Sequence, residues 1–170
     1  GNAGTAANDS IGGSDQVWTI PASNCLASNN GTPASVVCVG PSYSRSRYLL
    51  ARNFGFSIPS TDLVLGVEFN VYKYASHQQV ASYVQDYNVL LLKGGSILGI
   101  EHKKTGAWPT SQNLFTYGAN NDDWGIPGGI LYSDCNTVNF GIAIRVELPS
   151  VRYDLQGYVE YVSATIYTSS

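Results

Sequence analysis

Two histidines, His77 and His102, three cysteines, Cys25, Cys38 and Cys135, and a scatter of carboxylates are the residues of this chain that could do chemistry. A zinc site needs His, Cys or carboxylate ligands at short, regular spacing, and neither His has such a neighbour. Glycoside hydrolysis needs two carboxylates facing one sugar. Glu68 with Glu101, or Glu147 with Glu160, are the pairs on offer, but each falls on the polar face of an alternating segment, where a solvated Glu is expected. Cys135, within Ser133-Asp134-Cys135-Asn136, has no nearby His to take its proton and reads as a small buried hydrophobe. Asn120-Asn121-Asp122-Asp123 gathers hard oxygen ligands without the spacing or terminal bidentate Glu of an EF-hand, and reads as a turn before Trp124-Gly125. The expectation is a chain with no catalytic residue, no cofactor and no metal, and hence not an enzyme.

Other side chains point to covalent dressing or to binding. Cys25 and Cys38 flank the turn cluster Asn29-Asn30-Gly31-Thr32-Pro33, which can fold the chain back and bring them together. A disulfide there would stabilise by roughly 3 kcal/mol in the chain-entropy model; two separate buried thiols are the other reading. Asn8-Asp9-Ser10 and Asn30-Gly31-Thr32 are N-glycosylation sequons, so Asn8 and Asn30 are the glycan candidates. Trp18, Trp108 and Trp124 could supply a sugar-stacking platform, or could plug the core of a sandwich.

Composition narrows the partners. Hydrophobic residues make up 44% and charged residues 12% of the chain, which argues for a folded core under a surface of Ser, Thr, Asn, Gly and Tyr. At 170 residues the chain suits one domain. A formal net charge of -3 offers no field for phosphate backbones or anionic lipid, so nucleic acid is not expected as a partner. No apolar run approaches the roughly 20 residues of a membrane helix, so membrane insertion is not expected either. The sequence contains no Met and starts at Gly1, from which a removed targeting segment and export to the extracellular side are expected.

Period-two alternation dominates, and nothing supports a long helix. Leu65, Val67, Phe69 and Val71 alternate with Gly66, Glu68, Asn70 and Tyr72, which predicts a long strand with one buried face. Val138, Phe140, Ile142, Ile144, Val146 and Leu148 predict another. Residues 84–93 are apolar on both faces near Val89-Leu90-Leu91-Leu92 and predict a central strand, turned by Gly94-Gly95 into a partner at 96–100. The run 158–167 is expected to place Val162, Ala164 and Ile166 inward and Val159, Tyr161, Thr165 and Tyr167 outward, so that Tyr161 and Tyr167 join the candidate interface surface. Shorter strands are expected at 15–20, 35–39, 48–53 and 113–117. The whole predicts an all-β, two-sheet antiparallel sandwich, Ig-like or jelly-roll, over residues 15–170. Residues 1–14, made mostly of small residues around Ile11, form an N-terminal arm able to add a strand to an open sheet edge of its own or a neighbouring molecule.

Asn53-Phe54-Gly55-Phe56-Ser57-Ile58-Pro59-Ser60 followed by Leu65-Gly66-Val67-Glu68-Phe69 resembles a group of exported bacterial and phage-associated β-sandwich modules. The likeness continues through Leu91-Leu92-Lys93-Gly94-Gly95, Ala107-Trp108-Pro109-Thr110, Asp123-Trp124-Gly125, Asn139-Phe140-Gly141-Ile142-Ala143 and the 159–167 strand, with Ala7-Asn8-Asp9 and Trp18 fitting the opening. That resemblance implies a sandwich and no catalytic residues. A copy with a short N-terminal arm also resembles the subunits of pilus-like helical fibrils built by donor-strand exchange. By that resemblance the arm is the donor, with Ala3, Thr5, Ala7, Asp9 and Ile11 as candidate donor residues, copies of the same chain as partners, and the cell surface as the location. The alternative is a carbohydrate-binding or tail-fibre-type adhesion module using Trp108, Trp124, Tyr161 and Tyr167.

Overall fold

Apolar residues at every second position draw the two longest alternating runs into strands whose buried faces meet across one core. The computed structural model describes residues 1–9, 15–37, 44–79, 82–148 and 155–170. Its strands are β1 (Thr5–Asn8), β2 (Ala34–Val37), β3 (Ser44–Arg45), β4 (Leu49–Arg52), β5 (Leu63–Ala75), β6 (Gln78–Gln79), β7 (Ser82–Tyr83), β8 (Gln85–Lys93), β9 (Ser96–Leu98), β10 (Asn113–Gly118), β11 (Gly141–Leu148) and β12 (Gln156–Ser169). The helix α1 (Tyr132–Cys135) is a single turn. One sheet runs β1-β4-β11-β8-β9, with β3 also on β11; the other runs β10-β5-β12-β2; β6 and β7 form a separate ribbon. The pairings between these strands are antiparallel, and the two larger sheets pack face to face as a sandwich.

The core takes Val67, Phe69 and Val71 from β5, Val159, Val162 and Ala164 from β12, and Leu49, Ala51, Val89, Leu91, Ile142, Ile144, Val146 and Leu148 from the opposing sheet. Each fully buried aliphatic side chain contributes roughly 1.5–3 kcal/mol of transfer free energy. Phe69 anchors one end, edge-on to Trp124 with ring centroids 5.5 Å apart and 5.6 Å from Phe54. β8 lies between β11 and β9, as its two apolar faces predict. Its outer face, at Leu92, joins Tyr48, Leu50 and Ala143 in a second, smaller buried cluster, which is why this sheet is apolar on both sides here.

Four details depart from the alternation. Residues 15–20 form no strand and make only isolated bridges, Gln16 to Ser46 and Thr19 to Ser35. Val138 is 60% exposed, because β11 starts only at Gly141 and the preceding residues turn after α1. Leu65 is 48% exposed, and burial on that face of β5 begins at Val67. In β12 the register on β5 shifts between Val159 and Tyr161, a bulge that puts Val159 and Val162 on the same face. Val159 is therefore buried, not outward as strict alternation predicts. Among the described residues no helix is long and apolar enough to cross a membrane.

Candidate functional site

The N-terminal arm crosses from one sheet to the other. The Gly1 amine donates to the Ala164 carbonyl at 2.7 Å, the Ala164 N–H donates back to Gly1 O at 2.8 Å, and the Ala3 N–H donates to Val162 O at 3.0 Å. Residues 1–3 thus extend the edge of β12 that β2 covers farther along, at Gln156–Val159. The Gly4 N–H then reaches the Asn53 carbonyl at 2.9 Å, and β1 runs antiparallel to β4 with Thr5 opposite Arg52 and Asn8 opposite Leu49. The arm spans the seam of the sandwich.

The seat admits only small residues at its tightest points. A Cβ at Gly1 would lie 2.3 Å from the Phe54 carbonyl oxygen, and one at Gly4 would lie 2.6 Å from that of Asn53. Asn53 itself takes φ 61°, a left-handed turn that Asn tolerates better than most residues and that follows directly on β4. Ala3 and Ala6 are buried in the main core, at 0% and 7% exposure. Of the donor candidates, Ala3 is fully buried, Thr5, Ala7 and Asp9 are only partly covered, and Ile11 lies outside the described residues. Inward residues are three apart because the arm changes sheets between Ala3 and Thr5, so Ala6 takes the place that parity assigns to Thr5 or Ala7. Burial lowers the affinity of the Gly1 amine for its proton.

The arm is pinned at its far end. Asn8 Nδ2 donates to the Trp18 carbonyl at 2.8 Å, and Asn8 Oδ1 accepts from the Trp18 N–H at 2.8 Å. The Trp18 indole N–H donates to Arg47 O at 2.8 Å and plugs the core beneath. Of the two sequon asparagines, Asn8 has its amide nitrogen engaged in this clasp, whereas Asn30 is exposed on a turn, its Oδ1 accepting from the Thr32 hydroxyl and N–H. Cys25 is a buried free thiol, so no bridge to it is formed; Cys38 lies outside the described residues. Cys135 is also buried and free, its thiol pushed up to about 12 by burial and by the Asp134 carboxylate.

The tryptophan platform is not at the surface. Trp108 and Trp124 are 1% and 0% exposed, their indole N–H groups satisfied by Asp86 Oδ1 at 2.8 Å and by the Val67 carbonyl at 3.0 Å. They are core plugs, because a large amphipathic ring that finds a buried acceptor gains more inside than out. Tyr161 and Tyr167 are half-buried on the outer face of β12. Tyr161 packs on Tyr72 at 5.3 Å and Tyr158 stacks on Tyr74 at 4.7 Å, cross-strand pairs between β12 and β5. The Tyr161 hydroxyl donates to Asn2 Oδ1 at 2.7 Å, tying this ladder to the arm.

No protein-family model matches this chain, and neither does any curated protein. Its function is read from geometry.

Several other polar residues hold turns and strand ends. Asp122 caps the Trp124 N–H at 2.7 Å and meets His102 Nε2 at 2.6 Å, while the His102 ring stacks on Trp124 with centroids 3.8 Å apart. Glu101 accepts from the Val89 N–H at 2.6 Å. Glu160, expected on a wet face, is instead buried at the β12 bulge, where Oε1 accepts from the Gly31 N–H at 2.6 Å.

One buried polar cluster is missing from the sequence reading. Lys73 on β5 is 1% exposed, and its Nζ lies 2.7 Å from Asp86 Oδ1 on β8 in the opposite sheet. The Tyr117 hydroxyl accepts from Lys73 Nζ and donates to Asp86 Oδ2 at 2.7 Å. Asp86 also accepts from the Trp108 indole at Oδ1 and from the Lys104 N–H at Oδ2, at 2.8 and 3.0 Å. The signal was there: Lys73 continues the inward parity of Val67, Phe69 and Val71.

Proposed function

We propose that this chain is a structural subunit of an extracellular, pilus-like helical filament, in which the N-terminal arm of one copy occupies the seat of a neighbour. The observation that carries this reading is the arm's seam-spanning seat. Its backbone bonds go to Ala164, Val162, Asn53 and β4, and the seat is shaped for Gly1, Ala3, Gly4 and Ala6. Such a seat is indifferent to which copy supplies the arm, since an exchanged strand makes the same bonds in either case. Backbone pairing along a sheet edge then gives directional cohesion, worth about 0.5–1.5 kcal/mol net per bond and on the order of 5 kcal/mol for the set.

The Tyr ladder and an Asn30 glycan would face water or neighbouring subunits. The adhesion-module reading loses its two tryptophans, Trp108 and Trp124, which are buried, and keeps only the half-buried Tyr161 and Tyr167. Negative-stain microscopy of native material tests the filament reading: filaments support it, and discrete particles under all assembly conditions refute it. Deleting residues 1–9 should leave soluble, less stable monomers.

A further inference from the structure

We propose that Lys73 and Asp86 join through an amide bond between Nζ and Cγ, an intramolecular cross-link that staples the two sheets of the sandwich together. This goes beyond the filament reading and does not depend on it.

The geometry supplies what such a condensation needs. The nucleophile and the carboxyl group touch, with Nζ 2.7 Å from Oδ1, and both side chains are sealed from water, at 1% and 0% exposure. Three rings wall the amine: Phe115, Trp108 and Tyr117 have centroids 4.2, 4.6 and 5.1 Å from Nζ. An amine walled in this way has lost most of its hydration, so its neutral, nucleophilic form gains ground on the ammonium. Burial, the largest influence on Lys73, moves its amine in that direction, while Asp86 pulls against it. In water the ion pair defeats amide formation; here its advantage is reduced, and the water released has a wet exterior to go to.

The protons also have a path. Tyr117 accepts from Nζ and donates to Asp86 Oδ2, so its hydroxyl can take the proton that nitrogen loses and give one to the departing oxygen. Burial and the adjacent Asp86 carboxylate hold the Tyr117 phenol well above its usual range, so it relays protons without ionising. The Trp108 indole N–H points at Oδ1, where it can steady the negative charge that grows when nitrogen adds to Cγ. The balance is closed: the C–N bond forms, the bond from Cγ to Oδ2 breaks, and Oδ2 leaves with two protons as water. No oxidant, reductant or activated donor is required.

The bond also answers an energetic question. A buried Lys–Asp pair is costly to desolvate, and the attraction between the two charges repays that cost only in part. Converting the pair to an amide removes both charges and keeps the contact between β5 and β8.

Peptide mapping decides the matter. Trypsin acting on denatured protein should cut after Arg52, Lys73 and Lys93, giving peptides 53–73 and 74–93 if Lys73 is free. A cross-linked Lys73 resists cleavage, so the proposal predicts one species spanning 53–93, lighter than its sequence by one water. Recovery of the two separate peptides at full mass would overturn it. Lys73→Arg keeps a cation but lacks the amine, and should return the full mass. Asp86→Asn can close the same bond with loss of one ammonia, giving the same linked peptide. Tyr117→Phe should slow linkage by about 10²-fold or more; unchanged linkage would remove Tyr117 from the reaction.

Discussion

Asn8 grips the Trp18 backbone at two points, donating to its carbonyl and accepting from its N–H, both at 2.8 Å. The side-chain amide does the work of one more strand residue, fixing the end of β1 against the loop that carries Trp18 into the core. Asn8→Ala leaves a donor and an acceptor unpaired where water enters poorly, and should cost about 2–3 kcal/mol. Asn30→Ala, on an exposed turn, should stay within about 0.5 kcal/mol. Urea unfolding of the two variants beside the parent measures both.

The same contrast bears on modification. Glycosyl transfer needs a free amide nitrogen, which Asn30 offers and Asn8 has committed to Trp18. Glycopeptide mass spectrometry of native material should find glycan at Asn30 and an unmodified Asn8. Occupancy at Asn8 would mean that its clasp forms only after, or not alongside, modification.

The tight seat of the arm is open to a steric test. A side chain at Gly4 has the Asn53 carbonyl 2.6 Å from its Cβ, and backbone cannot move aside cheaply. Gly4→Val should unseat the arm, lowering stability by about 1–3 kcal/mol and abolishing filaments. Substituting Gly94, whose Cβ would meet nothing within 4 Å, controls for the loss of a glycine as such, apart from strain at its φ of 58°.

Alkaline pH should weaken the fold in a way that Cys135 makes specific. The folded thiol holds its proton up to about 12 against an ordinary value of 9.0, with burial the main cause. Between those values the native state binds the extra proton, so unfolding releases one and stability falls as pH rises above about 9. Cys135→Ala should flatten that slope, read by thermal unfolding across the alkaline range. An unchanged slope would place the effect on other groups.

Much of the sandwich was legible because its strands alternate cleanly. Val67, Phe69 and Val71, and Ile142, Ile144 and Val146, lie where period two puts them. What alternation hides is any step that breaks it. The β12 bulge turns Val159 inward and buries Glu160, and the arm's change of sheets makes Ala6 rather than Thr5 its second core residue. Residue type misled at two kinds of site. Trp108 and Trp124 suggest a sugar platform by type, but each finds a buried acceptor, and Lys73 is hidden by its type, since Lys is rarely buried, although its parity points inward. The partner that makes its burial tolerable, Asp86, sits 13 residues on, in the facing sheet, and only the fold brings the two together.

Asn2 and Ser163 provide the most direct test of arm exchange. They face each other as an antiparallel pair, with the hydrogen bonds falling on their neighbours, the arrangement in which Cα atoms come closest and lie within the span of a disulfide. Asn2→Cys with Ser163→Cys, assembled, oxidised and run on a denaturing gel without reductant, is predicted to give a ladder of covalent multimers that collapses on reduction and is missing from the parent. Bridged monomer alone, from assembled material, would show that each arm stays on its own chain and would contradict the account.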